Sequence, residues 1–125
     1  RLKYRGLGDI TVFLLFGPML MQVTAMLISG KVQNWILPFG LPAALLCEAI
    51  LHANNTRDIA NDRDAGIKTL ASMIGFKGSR LLYYSMILCA YGWSLALSFV
   101  KYRGCALTVL TLPLALRAFK DFKAE

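Results

Sequence analysis

Charge is scarce in this chain. Only 17% of its 125 residues are Asp, Glu, Lys or Arg, and seven of them are acidic; an ordinary soluble domain carries about 25%. Histidine is nearly absent, with His52 alone. The three cysteines, Cys47, Cys89 and Cys105, lie far apart in apolar surroundings with no CxxC spacing. That excludes a zinc ribbon or a disulfide framework, and the thiols read as small apolar packing residues. No internal repeat, low-complexity tract or signal-peptide cleavage site is visible. The basic residues, though they give a net charge of +7, sit in short stretches between apolar runs rather than along a polar face, which excludes a nucleic-acid partner. Apolar residues, by contrast, make up 57% of the chain, with a mean hydropathy of +0.54. A soluble fold of this length could not bury so much apolar surface, so the chain reads as an integral membrane protein.

Four apolar runs, 10–28, 35–51, 81–100 and 105–119, have lengths suited to membrane-spanning helices. None shows the period-two alternation of a barrel strand. The expected fold is therefore all-α, a polytopic transmembrane bundle with about four spans. Pro18, Pro38, Pro42 and Pro113 fall within these runs; kinks are expected, with neighbouring helices satisfying the freed carbonyls. The long polar connection 52–80 and both termini fall on one side. Eleven of the fourteen basic residues lie there, with Lys31, Lys101 and Arg103 on the other, which predicts that the connection faces the cytosol. The start on Arg1, without methionine, reads as a piece of a longer protein.

The connection opens HANNTRDIANDRDAGIKTL from His52 to Leu70. In a helix, Asn54, Asp58 and Asp62 fall within about 80° of one another, with Asn55 and Asn61 at the margin; Asp64 lies about 120° away. Gly66 is a natural helix stop. One face thus gathers carboxylates and carboxamides, hard oxygen donors that suit Mg²⁺ with its retained waters and phosphate ligands. No cluster of His and Cys favours zinc. Like charges at i, i+4 oppose helix formation, so a cation there would stabilise the face. Arg57, Lys68 and Arg80 are placed to help hold a diphosphate. The plain alternative is a solvated polar face, with Asp58 and Asp62 paired to nearby Arg and Lys. Asp64 reads as a surface partner of Lys68, and His52 as an interfacial residue. Glu48, an ionisable residue near the end of the second run, is a candidate functional group because its burial in lipid is costly. Tyr83, Tyr84, Tyr91 and Trp93 read as packing or interfacial anchors, with the lining of an apolar chamber as the alternative.

The stretch NNTRDIANDRDAG, of the form NNxRDxxxDxxxG and followed by TLA, resembles the second aspartate-rich motif of the UbiA superfamily of intramembrane prenyltransferases. Its form is that of the menaquinone and naphthoate branch, and EAILHANNTRD is similar to the branch's animal members. KYRGLGDITVFLLFGP, Lys3 to Pro18, resembles that branch's LGD…FGP segment; together the matches cover about a third of the chain. The resemblance implies a nine-span helical bundle, of which these residues supply the fifth to eighth spans. It implies transfer of a prenyl group, geranylgeranyl in the animal branch, from its diphosphate to a naphthoquinol ring in menaquinone (vitamin K2) biosynthesis, with Mg²⁺ as cofactor. Carried over by position, Asp58 and Asp62 are catalytic, Asn54, Asp58 and Asp62 hold the metal, and Asn54, Asn55 and Arg57 bind the diphosphate. Asn61 departs from the usual residue at its position, Lys68 falls at a variable one, and neither is carried over. The family's first aspartate-rich motif is not in this sequence, so these residues alone are expected to be inactive.

Implied partners are a polyprenyl diphosphate, an aromatic quinol and membrane lipid, with a sterol-synthesis reductase in the animal branch. The implied location is the endoplasmic reticulum or Golgi if the source is animal. Two other classes compete: a non-catalytic membrane module binding sterol, lipid or a partner protein, and a cation channel or transporter using the acidic face. An isoprenoid requirement separates the enzyme from both.

Overall fold

Proline and glycine decide where the first span bends. The computed structural model describes residues 7–100 and 102–121, with side chains described through Arg117. The span Gly8–Ser29 is built of α1 (Gly8–Leu14), a π-helical turn (Leu15–Met19) and α2 (Leu20–Ser29). Pro18 sits in the π turn. Its ring clashes with the carbonyl four residues back in regular α winding, and the wider turn relieves that clash. Gly30 closes α2 in the left-handed region (φ +70°), its N–H donating to the Met26 carbonyl at 2.8 Å.

A 3-10 turn, Asn34–Ile36, leads into α3, Leu37–Arg57. Pro38 stands in the first turn of α3, where no N–H is needed. Pro42 lies deeper and cannot donate to the Pro38 carbonyl. The Trp93 indole N–H, from the neighbouring long helix, donates to that oxygen at 2.9 Å instead. The expectation that a neighbouring helix would satisfy a proline-freed carbonyl is met here.

The connection 52–80 is mostly helical rather than a loop. Helix α3 continues through Arg57, α4 covers Ile59–Asp64, and α5 runs from Leu70 to Val100 with a break at Gly75 (φ +72°, ψ 172°). The expected stop at Gly66 is present. Gly66 (φ +66°) donates to Arg63 O at 3.1 Å and Ile67 N–H to Asp62 O at 2.8 Å, the paired bonds of a Schellman motif. Helix α5 starts on a reciprocal cap: Ser72 N–H donates to Thr69 Oγ1 (3.1 Å) and Thr69 N–H to Ser72 Oγ (3.0 Å).

Three helical segments among the described residues are long and apolar enough to cross a membrane: Gly8–Ser29, Asn34–Arg57 and Leu70–Val100. The fourth apolar run begins instead as a 3-10 segment, Arg103–Thr111, and continues as α6, Leu112–Asp121. Thr108 and Thr111 hydroxyls donate to carbonyls three residues back, each at 2.7 Å, which accompanies the tighter winding. The charge-asymmetry expectation drew partly on Arg1, Lys3, Arg5, Lys101 and Lys123, which lie outside the described residues.

Helix α3 is central, packed on α5 at one side and on the first span at the other. The approach to the first span is close: a Cβ added to Gly17 would lie 2.6 Å from Ala44 Cβ, and one on Gly40 2.7 Å from Met21 Cγ. Such small residues let membrane helices pack backbone to backbone. Ala49, Tyr83, Met86 and Ile87 form the core between α3 and α5. Leu27 and Ile28, more than 80% exposed, typify the outward apolar faces.

Candidate functional site

At the α3–α4 junction the helical register survives a local break. Asp58 leaves helical geometry (φ −94°, ψ 11°), yet its N–H donates to Asn54 O at 3.0 Å and its carbonyl accepts from Asp62 N–H at 2.8 Å. Two successive i, i+4 bonds therefore stack Asn54, Asp58 and Asp62 along one ridge. Asn54 is exposed, and Asp58 and Asp62 are half-buried. Arg57 grips its neighbour: Nε donates to Asp58 Oδ1 at 3.0 Å and Nη2 to Oδ2 at 3.3 Å. That hydrogen bond, with the guanidinium charge, holds the Asp58 carboxyl below the usual carboxylate range. With side chains 73% and 41% exposed, the pair contributes little to stability. Three guanidinium N–H groups stay available to an anion. Asp64 and Lys68, expected to pair, are both exposed and form no ion pair. The Gly66 turn ends the helix between them, so their i, i+4 adjacency is lost.

Beneath the ridge lies a polar cluster that sequence reasoning did not assemble. His52, expected at the interface, is 0% exposed. Its Nδ1 faces Asp9 Oδ2 at 3.3 Å and its Nε2 meets the Ser79 carbonyl at 3.2 Å. Asn55 Nδ2 donates to Asp9 Oδ1 at 3.1 Å, so one of the two amide N–H groups expected to serve a diphosphate is taken. Glu48 and Asp9 are each 5% exposed, and neither Glu48 carboxylate oxygen has a hydrogen-bond partner. One ligand atom from each of Asp9, Glu48 and His52 lies within 4.8 Å of the others. The signal was present in the spacing: positions 48, 52 and 55 are i, i+4, i+7, one face of α3. What the spacing could not supply was Asp9, 43 residues from His52.

Three of the aromatics of α5 make contacts within the bundle. Tyr83 belongs to the core, Tyr91 OH meets Thr111 Oγ1 at 2.7 Å, and Trp93 serves the Pro38 carbonyl. Tyr91 also lines two apolar cavities of about 300 and 340 Å³ between α3, α5 and the C-terminal segments.

Residues 1–124 match the UbiA prenyltransferase family. The chain is 38% identical over 123 residues to the UbiA prenyltransferase domain-containing protein 1 homolog of Drosophila melanogaster, covering 98% of this chain and 34% of that protein. It is 37% identical to UbiA prenyltransferase domain-containing protein 1 of Homo sapiens, covering 98% and 36%. Against the protein of the same name from Dictyostelium discoideum it is 43% identical over 117 residues, covering 92% and 34%. The chain thus spans about a third of the length of these relatives. No solved structure matches it. With the family matched along nearly every residue, and an oxygen-rich ridge at the end of a membrane-crossing helix, the chain belongs to the UbiA prenyltransferase family.

Proposed function

We propose that the full-length protein is an intramembrane prenyltransferase, with the Asn54–Asp58–Asp62 ridge as half of its metal–diphosphate site. The observation that carries this reading is the ridge itself, stacked by consecutive i, i+4 bonds at the end of an apolar helix. The donor set fits Mg²⁺: two carboxylates and a carboxamide, open enough to leave room for water and phosphate oxygens. When bound, the ion supplies Lewis-acid neutralisation of charge on the departing diphosphate. Asp58 and Asp62 would hold it, with Asn54 adding a carbonyl oxygen. Arg57 stands beside Asp58 with N–H groups to spare and would donate to the diphosphate, joined by the remaining amide N–H of Asn55. The apolar walls of α3 and α5 would keep water from the reactive allylic carbon.

The motif form supports the finer assignment: a geranylgeranyl donor, a naphthoquinol acceptor, a place in menaquinone synthesis, and the ridge on the cytosolic face of endoplasmic reticulum or Golgi membranes. A sterol-synthesis reductase is the membrane partner the animal branch would bring. In membranes containing the full-length protein, prenyl transfer to a naphthoquinol is expected to require Mg²⁺. Asp58→Ala and Asp62→Ala are each expected to lower turnover by roughly 100-fold or more, the scale of losing one electrostatic stabiliser. Undiminished turnover in both variants would overturn the site.

A further inference from the structure

We infer that Asp9, Glu48 and His52 form a second cation site, inside the membrane beneath the ridge, built for a divalent transition metal such as Zn²⁺. Ser79 O is a carbonyl and can only accept, so the 3.2 Å contact with His52 requires the proton on Nε2. In neutral histidine Nδ1 is then a bare lone pair, and it faces a carboxylate oxygen, Asp9 Oδ2, at 3.3 Å. Two acceptors at that distance repel unless a positive charge joins them.

An imidazolium would join them, but it leaves Glu48. That carboxylate is 95% buried by its 5% exposure, has no hydrogen-bond partner, and brings an oxygen within 4.8 Å of the other two ligand atoms. One imidazolium against two carboxylates leaves a net negative charge in the membrane, and a proton on Glu48 instead leaves a buried carboxyl with no hydrogen-bond partner on either oxygen. A dication with neutral His52 leaves neither. Ligand atoms bound to one ion at about 2.0–2.2 Å stand roughly 3–3.5 Å apart, which is the Asp9–His52 separation. The Nε2–H donating to a backbone carbonyl is the outer contact that metal-bound histidines make, fixing the tautomer that frees Nδ1. Asn55 does the same for Asp9, engaging Oδ1 and leaving Oδ2 toward the ion. Imidazole in the set selects a transition metal over Mg²⁺. The site draws one ligand from α1 and two from α3, with α5 orienting the ring, so the ion would clamp all three spans at the ridge end.

The inference rests on no assignment of activity, and its test reads metal rather than turnover. Full-length protein in lipid nanodiscs is stripped with chelator, then dialysed against limiting Zn²⁺ in excess Mg²⁺ without isoprenoid. Wild type and the Asp58→Asn/Asp62→Asn double variant are expected to retain one more Zn²⁺ per chain than Glu48→Gln. Glu48→Gln is expected to weaken Zn²⁺ binding by at least the roughly tenfold that outer-contact changes cost. Should Glu48→Gln fail to fold, Co²⁺ loaded into Asp9→Cys is expected to show a sulfur-to-metal charge-transfer band absent from wild type. Folded wild type retaining no Zn²⁺ would overturn the site, as would equal retention in Glu48→Gln, loss in the Asp58/Asp62 variant alone, or no charge-transfer band in Asp9→Cys.

Discussion

Asn54 and Asn55 are neighbours in sequence with opposite surroundings, and they should respond oppositely to substitution. Asn54 is exposed on the ridge, so Asn54→Ala should leave thermal stability within about 0.5 kcal/mol while lowering prenyl transfer. Asn55 is half-buried and donates to Asp9. Asn55→Ala leaves a buried carboxylate oxygen short of a donor, an expected loss of about 1–3 kcal/mol, visible as a lowered midpoint in thermal unfolding of the full-length protein in nanodiscs. Equal midpoints for the two variants would count against this division of labour. The ridge was readable from the letters because its three members are four residues apart, and a helix converts that spacing into a shared face without help from the rest of the chain. The Asp9–His52 contact was not, because only the packing of α1 on α3 joins residues 43 apart. His52 looked interfacial from its position in the sequence, since nothing local revealed a carbonyl and a carboxylate waiting on either side of its ring.

Among the helices, one indole closes a hydrogen-bonding gap where α3 meets α5. Pro42 leaves the Pro38 carbonyl without its helical donor and Trp93 replaces it. A carbonyl facing lipid finds no water to bond. Trp93→Phe is therefore expected to cost about 1–3 kcal/mol with little change in the ridge. Its measurement is the denaturation midpoint of the full-length protein, and an unchanged midpoint would mean that the bond is not stabilising. The helix ends divide by the same logic as the residues. Gly66 announced its stop because a left-handed turn favours glycine, and the paired Schellman bonds bear this out. The extension of α3 and α5 into the polar connection was hidden, since polarity alone does not separate an exposed helix from a loop. The 3-10 winding of Arg103–Thr111 was hidden as well, because its threonine back-bonds become apparent only once the backbone has tightened.

Across the whole molecule, the three long helices place Asp64 at one end and Lys31 at the other, both exposed. With Cys47, Cys89 and Cys105 replaced, Asp64→Cys in the full-length protein should react with a membrane-impermeant maleimide from the cytosolic side, and Lys31→Cys from the opposite side. The reverse pattern would invert the proposed orientation. The outward apolar faces, Leu27, Ile28 and Phe99 among them, need lipid or further helices to cover them, as a chain spanning a third of its relatives would. The π turn at Leu15–Met19 has a last consequence for this arrangement. It inserts one residue into the winding of the first span, and each residue turns a helix by about 100°. The halves on either side are thereby phased independently: one aims Asp9 at His52, the other seats Met21 over Gly40. Excising a single residue from that turn would keep the span just as oily and almost as long, yet swivel Asp9 a quarter-circle away and unlock the buried polar cluster from the first helix.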